Sequence, residues 1–374
     1  MHAVFGRKVS AAGTGYIITM NETAITAPAR QHDRQIAVWL FTVAFFVVMM
    51  VLVGGLTRLT DSGLSITEWQ PVAGALPPLN AEAWDVEFEK YRQIPEYQLV
   101  NKGMSLSEFK IIYWWEWGHR QLGRLVGLVF FVPFLVFLLQ RKIRLGDLPA
   151  LLGLFALGGL QGFMGWYMVQ SGLTDRVDVS QYRLAMHLGL ALIIFAACFW
   201  LAMSYWRGTL RDARPAWAGL QFWAAGLVGL VIMQSLTGAL VAGIDAGMTY
   251  NDWPTMDGEF IPSGLLAQQP AYLNFFENHL TVQFDHRVMA YFLVGLTFWH
   301  VWRVRGLAGD NRLRQSALWL GVGVAGQALL GIVALVLVLP MGLAAAHQLG
   351  AVLVLGLAVA HLHFLRHSGA LPIR

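Results

Sequence analysis

The chain has 374 residues, of which 56% are hydrophobic and only 13% are Asp, Glu, Lys or Arg, about half the charged share of an ordinary soluble domain. With 39 Gly, 15 Trp and 22 Phe, this composition excludes a conventional water-soluble fold, a disordered chain and a collagen-like repeat, and points to a polytopic helical membrane protein. The single cysteine, Cys198, excludes an intramolecular disulfide and a thiolate-held zinc or iron–sulfur site, and the net charge of +4 is too dispersed for a nucleic-acid surface.

The first 34 residues contain no continuous apolar run and carry Glu22 and Asp33, so they read as a tail rather than a cleaved signal or transit peptide; Met20 would serve equally well as a start. Eight apolar stretches follow, near 36–59, 119–140, 148–170, 184–206, 217–243, 286–305, 314–338 and 342–365. Each can supply the ~20 helical residues that cross a hydrocarbon core of ~30 Å. Of the 26 Lys and Arg, 16 fall in the two tails and in the connections after spans two, four and six. Both termini are therefore expected on the cytoplasmic side. The loop 60–118 carries nine acids against four basic residues, and the loop 244–285 six acids and no Lys or Arg, so both face outward.

An internal repeat organises these spans. Asp61-Ser-Gly63-Leu-Ser-Ile-Thr-Glu68-Trp69 after the first span matches Asp245-Ala-Gly247-Met-Thr-Tyr-Asn-Asp252-Trp253 after the fifth, at a constant offset of 184, and Gly54-Gly55-Leu56 matches Gly238-Ala239-Leu240 at the same offset. His119-Arg120 matches His286-Arg287, Gln161 and Gly165 match Gln327 and Gly331, and His187 matches His347. The expected fold is all-α: a polytopic membrane protein with eight transmembrane helices in two pseudo-symmetric four-helix bundles, both in one orientation because each unit has an even number of spans. The divisions are a cytoplasmic tail over 1–35, an N-terminal unit over 36–206, a cytoplasmic linker over 207–216, a C-terminal unit over 217–366 and a tail over 367–374.

His119, His187, His286 and His347 fall in the first turns of spans two, four, six and eight, at one depth near the outer surface. Two imidazoles on two helices of one bundle are what a bis-histidine haem needs, with small residues such as Gly118, Gly123, Gly127 and Gly189 where the ring approaches backbone. Arg120, Arg124, Arg183 and Arg287 stand beside them, against the positive-inside trend, as candidates to pair with haem propionates. A lone interfacial histidine meets only headgroups and water, but four at repeat-matched positions argue for function. Zinc fits less well, since the repeat splits the four into separated pairs. In the C-terminal half alone, His300 and His361 follow His286 and His347 by 14 residues, which is ~21 Å of helix and within about 40° of the same face. They are candidates for a second, inner haem, or for plain interfacial histidines.

Glu116 precedes His119 by three residues in the run YWWEWGHRQLGR, and a capping box of Ser105 with Glu108 starts a helix there. Its counterpart in the other half is Gln283, which cannot ionise, so the two sites are chemically unequal. An ion pair of Glu116 with Arg120 is an expected accompaniment.

YWWEWGHRQLGR, VGGLTRLTDSGLSITEW, MHLGLAL, FDHR and AHQLGA resemble the haem A synthase family over about residues 36–366. The resemblance implies that the N-terminal unit binds the substrate haem O through His119 and His187, with Glu116 catalytic, and that the C-terminal unit holds a haem b cofactor on His286 and His347. It implies oxidation of a haem methyl group to a formyl group through a hydroxymethyl intermediate, with oxygen from water, to give haem A for cytochrome oxidase. The cysteine pair of one bacterial type is missing, so the chain is similar to the mitochondrial and proteobacterial type. A bacterial inner membrane is the expected location, ahead of the mitochondrial one. The haem O-producing farnesyltransferase is an expected partner, and small residues in span seven, with Gly238 and Gly243, would permit close packing between halves or in a homo-oligomer. A b-type cytochrome passing electrons between quinol and a partner is the alternative, and a transporter a weaker one, since the spans show no unwound midplane segment.

Overall fold

The computed structural model describes residues 31–208, 218–306 and 311–367. Its helices are α1 (Gln31–Leu59), α2 (Ala81–Arg92), α3 (Pro95–Leu99), α4 (Leu106–Leu139), α5 (Leu148–Gln170), α6 (Gln181–Arg207), α7 (Ala218–Gly243), α8 (Asn274–Glu277), α9 (His279–Arg305), α10 (Asn311–Val336) and α11 (Met341–His367). Apart from residues 31–35, 207–208 and 367, the expected tails and linker lie outside the described residues, as does Met20. Seven of the long helices are apolar and long enough to cross a membrane. The eighth, α9, has 27 residues, but Asp285, His286, Arg287, His300 and two terminal arginines lower its hydropathy. The protein is an all-α polytopic membrane protein, and the expected spans map in order onto α1, α4, α5, α6, α7, α9, α10 and α11.

The main departure is α4, which begins at Leu106 rather than near 119. The Ser105–Glu108 capping box forms, with the Ser105 side chain accepting from the Glu108 N–H and the Glu108 carboxylate accepting from the Ser105 N–H. Phe109 and Tyr113 on its first turns are buried against Trp84, Phe88, Tyr91 and Tyr97 of α2 and α3, together with Leu64 and Val179. This aromatic cluster forms a cap at the outer end of the N-terminal unit. His119 consequently sits several turns inside a helix rather than in its first turn.

Within the N-terminal unit α1 packs on α4 and α6, and α5 on α6; in the C-terminal unit α7 packs on α9 and α11, and α10 on both of those. The units meet through α6 on α7 and through α11 on α1 and α6. Within the N-terminal unit the contact of α1 with α6 uses a coiled-coil-like spacing, with Ile36, Leu40, Val43, Val47 and Val51 of α1 in one core with Ala191, Phe195, Cys198, Ala202 and Tyr205 of α6.

The repeated Asp-x-Gly motif closes a helix. Asp61 and Asp245 both adopt left-handed backbone, with φ of 46° and 53°, a conformation Asp tolerates better than most residues. Arg58 joins the two copies, with Nη1 2.9 Å from Asp61, Nη2 3.1 Å from Asp245, and Nη2 also donating to the Ala242 carbonyl. The outer ends of α1 and α7 are tied together by this residue.

Candidate functional site

The four repeat-matched histidines lie on α4, α6, α9 and α11, half-buried, with His119 and His187 electrostatic neighbours in one unit and His286 and His347 in the other. Each has a glycine at its back. A Cβ added to Gly54 would stand 2.8 Å from Cε1 of His119, and one on Gly165, Gly238 or Gly331 would stand 3.1, 3.1 or 2.7 Å from Cε1 of His187, His286 or His347. Only glycine leaves room for an imidazole pressed this closely on a neighbouring helix. The repeat revealed these glycine pairs, but their purpose emerges only from the packing.

Three glutamines hold three of the rings. Gln161 Nε2 lies 3.2 Å from Nδ1 of His187 and donates to the His187 carbonyl. Gln234 Nε2 lies 3.0 Å from Nδ1 of His286 and donates to that residue's carbonyl, with Thr237 Oγ1 2.9 Å from the same ring nitrogen. Gln327 Nε2 lies 3.1 Å from Nδ1 of His347 and 2.7 Å from its carbonyl. The amide groups fix the rotation of each ring, and Thr237 Oγ1 can also accept from an Nδ1–H of His286, the kind of partner that raises an imidazole's basicity. Nδ1 of His119 is buried and has no partner.

Glu116 is 3% exposed and receives four hydrogen bonds: from Ser65 Oγ at 2.8 Å, the Ile66 N–H at 2.7 Å, and Arg120 Nε and Nη2 at 3.0 and 2.6 Å. The expected ion pair is present, and Glu116 is also the anchor of the segment after α1. Gln283 occupies the matching place, donating to the Ala246 carbonyl at 3.0 Å and accepting from Arg287 at 3.1 Å. Ser65 and Ile66 were not singled out from sequence; their position inside the repeated Asp-x-Gly segment was the available signal.

The arginines are committed to backbone. Arg120 donates to the Ile66 and Glu68 carbonyls, Arg124 to those of Gln70 and Pro71, and Arg287 to those of Tyr250, Asp252 and Thr255. They staple the outer loops onto α4 and α9. Nε of Arg287 is buried without a partner. Arg183 donates to the Tyr167 carbonyl and lies over the Tyr167 ring. A cavity of about 400 Å³ beside Arg120 and Arg124, lined also by Ile66, Glu68 and Tyr113, belongs to this outer cap.

The two inner histidines are in direct contact. His300 and His361 are fully buried, with Nε2 to Nε2 at 2.9 Å, and Ser316 Oγ lies 2.9 Å from Nδ1 of His361. An iron ligated by both rings at the ~2 Å typical of imidazole–metal bonds needs these nitrogens about 4 Å apart with a macrocycle between them. The pair is a hydrogen-bonded couple that links α9 and α10 to α11, with its nitrogens closer together than a macrocycle between them would require.

The units differ at one seam. α4 and α5 scarcely touch except where Phe130 and Phe131 stack on Phe155, at centroid distances of 6.2 and 5.4 Å. Outward of that stack, Gly158, Gly159 and Gly162 share the Phe155 face of α5 and have open space where a side chain would stand. The matching helices α9 and α10 are joined closely, with Val301 of α9 against Gly321 of α10.

Residues 37–359 match the family model described as cytochrome oxidase assembly protein. The chain is 56% identical over 332 residues to heme A synthase of Parvibaculum lavamentivorans, covering 89% of this chain and 94% of the relative. It is 52% identical over 335 residues to heme A synthase of Azorhizobium caulinodans, covering 89% and 95%. Over 366 residues it is 48% identical to heme A synthase of Allorhizobium ampelinum, covering 95% and 99%.

Proposed function

Because the chain belongs to the haem A synthase family and is a membrane oxidoreductase that converts haem O to haem A, we propose that its N-terminal unit binds the substrate through His119 and His187 and its C-terminal unit holds haem b on His286 and His347. The observation that carries this assignment is the unequal seam. A substrate that must come and go needs an opening, and a resident cofactor needs closure; α4 and α5 stand apart where α9 and α10 are joined. The open seam faces the lipid, where a farnesylated substrate from a haem-farnesylating partner would reside. Glu116 against Gln283 is an independent difference in the same sense.

The donor set fits haem. Each unit offers two imidazoles backed by glycine, and the unpartnered Nε of Arg287 is available to a propionate. Haem b would supply a one-electron redox centre on the C-terminal side. The first two-electron oxidation would convert the methyl group and one water to the hydroxymethyl group with release of two protons and two electrons; the second would remove two further protons and two electrons to leave the formyl group with no net gain of oxygen, the electrons passing to an external acceptor.

The chain's own contribution centres on Glu116. Its carboxylate, fixed by Arg120, Ser65 and Ile66, would stabilise positive charge developing at the methyl carbon. With four donors already on its oxygens, electrostatic stabilisation suits this geometry better than capture of a proton from water. The aromatic cap limits bulk water at the outer end. The Lys and Arg bias and the bacterial relatives support placement in a bacterial inner membrane with both termini cytoplasmic.

Pyridine haemochrome spectra and mass analysis of haems extracted from the purified protein test this reading. Hydroxymethyl and formyl haem, together with haem b, are expected. Haem b alone would leave an electron-transferring cytochrome, which the named relatives do not favour.

A further inference from the structure

Three of the four histidines are gripped by a neighbouring glutamine, and the fourth lacks one because of two substitutions in the repeat. At the offset of 184, α1 carries Met50 where α7 has Gln234, and Val53 where α7 has Thr237. Gln234 and Thr237 supply the partners of Nδ1 in His286. Met50 instead presents its methyl to α4, with Cε 3.7 Å from where a Cβ on Gly123 would stand, one turn beyond His119. Nδ1 of His119 is left buried and unpartnered. The ring keeps the glycine at its back but has neither the amide that fixes the rotation of His286 nor the hydroxyl that can accept from its Nδ1–H.

We propose that His119 is the weak, exchangeable axial ligand of the N-terminal unit, the position where the substrate iron is taken up and the product iron let go, while His187, His286 and His347 are held fixed. The inference rests on the reading that this unit binds haem O. Partners of ligating residues commonly contribute 10–100-fold to metal affinity. Their loss at one of two ligands shortens residence without abolishing binding, which a turning-over substrate requires and a resident cofactor does not. His119 is on α4, one of the two helices flanking the open seam, and within a turn of Glu116, so release of this ligand would occur beside both the chemistry and the way out.

The test is transfer of haem O from the full-length protein in liposomes to excess apomyoglobin, followed by absorbance. The wild type is expected to lose haem in a fast phase from the N-terminal unit and a slow phase from the C-terminal unit. In Met50→Gln, which copies Gln234, the fast phase should slow by about 10-fold or more while the slow phase stays unchanged. Val53→Thr, which copies Thr237 with almost no change of volume, should slow it in the same direction and covers the case in which the glutamine misfolds. A low-temperature electron paramagnetic resonance spectrum should show the N-terminal haem signal of either variant moving toward that of the C-terminal haem. His119→Ala and His187→Ala must each remove the fast phase. If they do not, the assignment of substrate to this unit fails. If they do, and both variants release haem at the wild-type rate, His119 is not the exchangeable ligand.

Discussion

Replacing Glu116 by glutamine separates the anchoring role of this residue from its chemistry. An amide oxygen at the same place would keep the Arg120 contacts, now 2.6 and 3.0 Å, but would point the amide nitrogen at the Ile66 N–H, 2.7 Å away, which is also a donor. Ser65 can rotate its hydroxyl to accept; Ile66 cannot. A buried donor left unsatisfied costs about 1–3 kcal/mol, and breaking a buried ion pair about 3–5 kcal/mol. Arg120 retains the Ile66 and Glu68 carbonyls and is partly exposed, so the sum is expected near the lower end, on the order of 3 kcal/mol. The C-terminal unit shows why glutamine is tolerated there: Gln283 donates to the Ala246 carbonyl, where Glu116 faces an N–H. Glu116→Gln should therefore load haem through His119 and His187, expose the segment after α1 to protease sooner than the wild type, and yield no formyl haem by mass analysis. Wild-type formyl yield would remove Glu116 from the chemistry, and wild-type protease resistance would refute its anchoring role.

Gly331→Ala places a Cβ 2.7 Å from Cε1 of His347, whose ring is held by Gln327, so haem retained by the C-terminal unit should fall at least about 10-fold in a haem-to-protein titration; unchanged loading would refute the cradle. Glu96 in the outer cap is pushed up to about 8, first by burial and then by the charges of Asp61, Glu116 and Asp178. A carboxyl raised on folding is stabilising only while protonated, so the cap should weaken as pH rises from 4.5 through 8, and Glu96→Gln should flatten that dependence in Trp84 fluorescence under denaturant. An identical pH profile in the variant would show that Glu96 is not the titrating group. His300→Leu should leave the haem-to-protein ratio unchanged while lowering thermal stability by about 1–3 kcal/mol, since it leaves His361 with Ser316 alone; loss of one haem would instead assign an inner haem to this pair.

The spans, the repeat and the histidine pairs were legible because each rests on a local property of the chain: apolar length, a constant offset, a residue type that recurs at one depth. The start of α4 was signalled by Ser105 and Glu108, yet a window for apolar residues passes over it, because this first part of the helix buries Phe109 and Tyr113 against the cap instead of lipid. The arginines were read for charge, but their positions are set by loop carbonyls, and no one-dimensional signal marks a backbone acceptor contributed by a distant turn. His300 and His361 were correctly placed on facing helices. What periodicity cannot report is whether two facing rings stand close enough to bond to each other or far enough apart to admit a macrocycle.

The repeat becomes most informative where it is broken. Duplication supplies two sites of the same design, each with paired imidazoles backed by glycine, and identical sites would bind identical groups with similar lifetimes. Division of labour requires differences in charge, grip and access, and all three occur in the same half. Glu116 replaces the neutral amide of Gln283, Met50 and Val53 replace the polar partners of the matching histidine, and α4 stands away from α5. Each change taken alone has a structural explanation. Together they oppose retention and favour turnover, since a site selected only to hold its ligand would gain from keeping the glutamine grip and the closed seam. The N-terminal unit keeps Gln161 on His187 but has given up the grip on His119 and the closed seam, and it is the unit that carries the buried carboxylate.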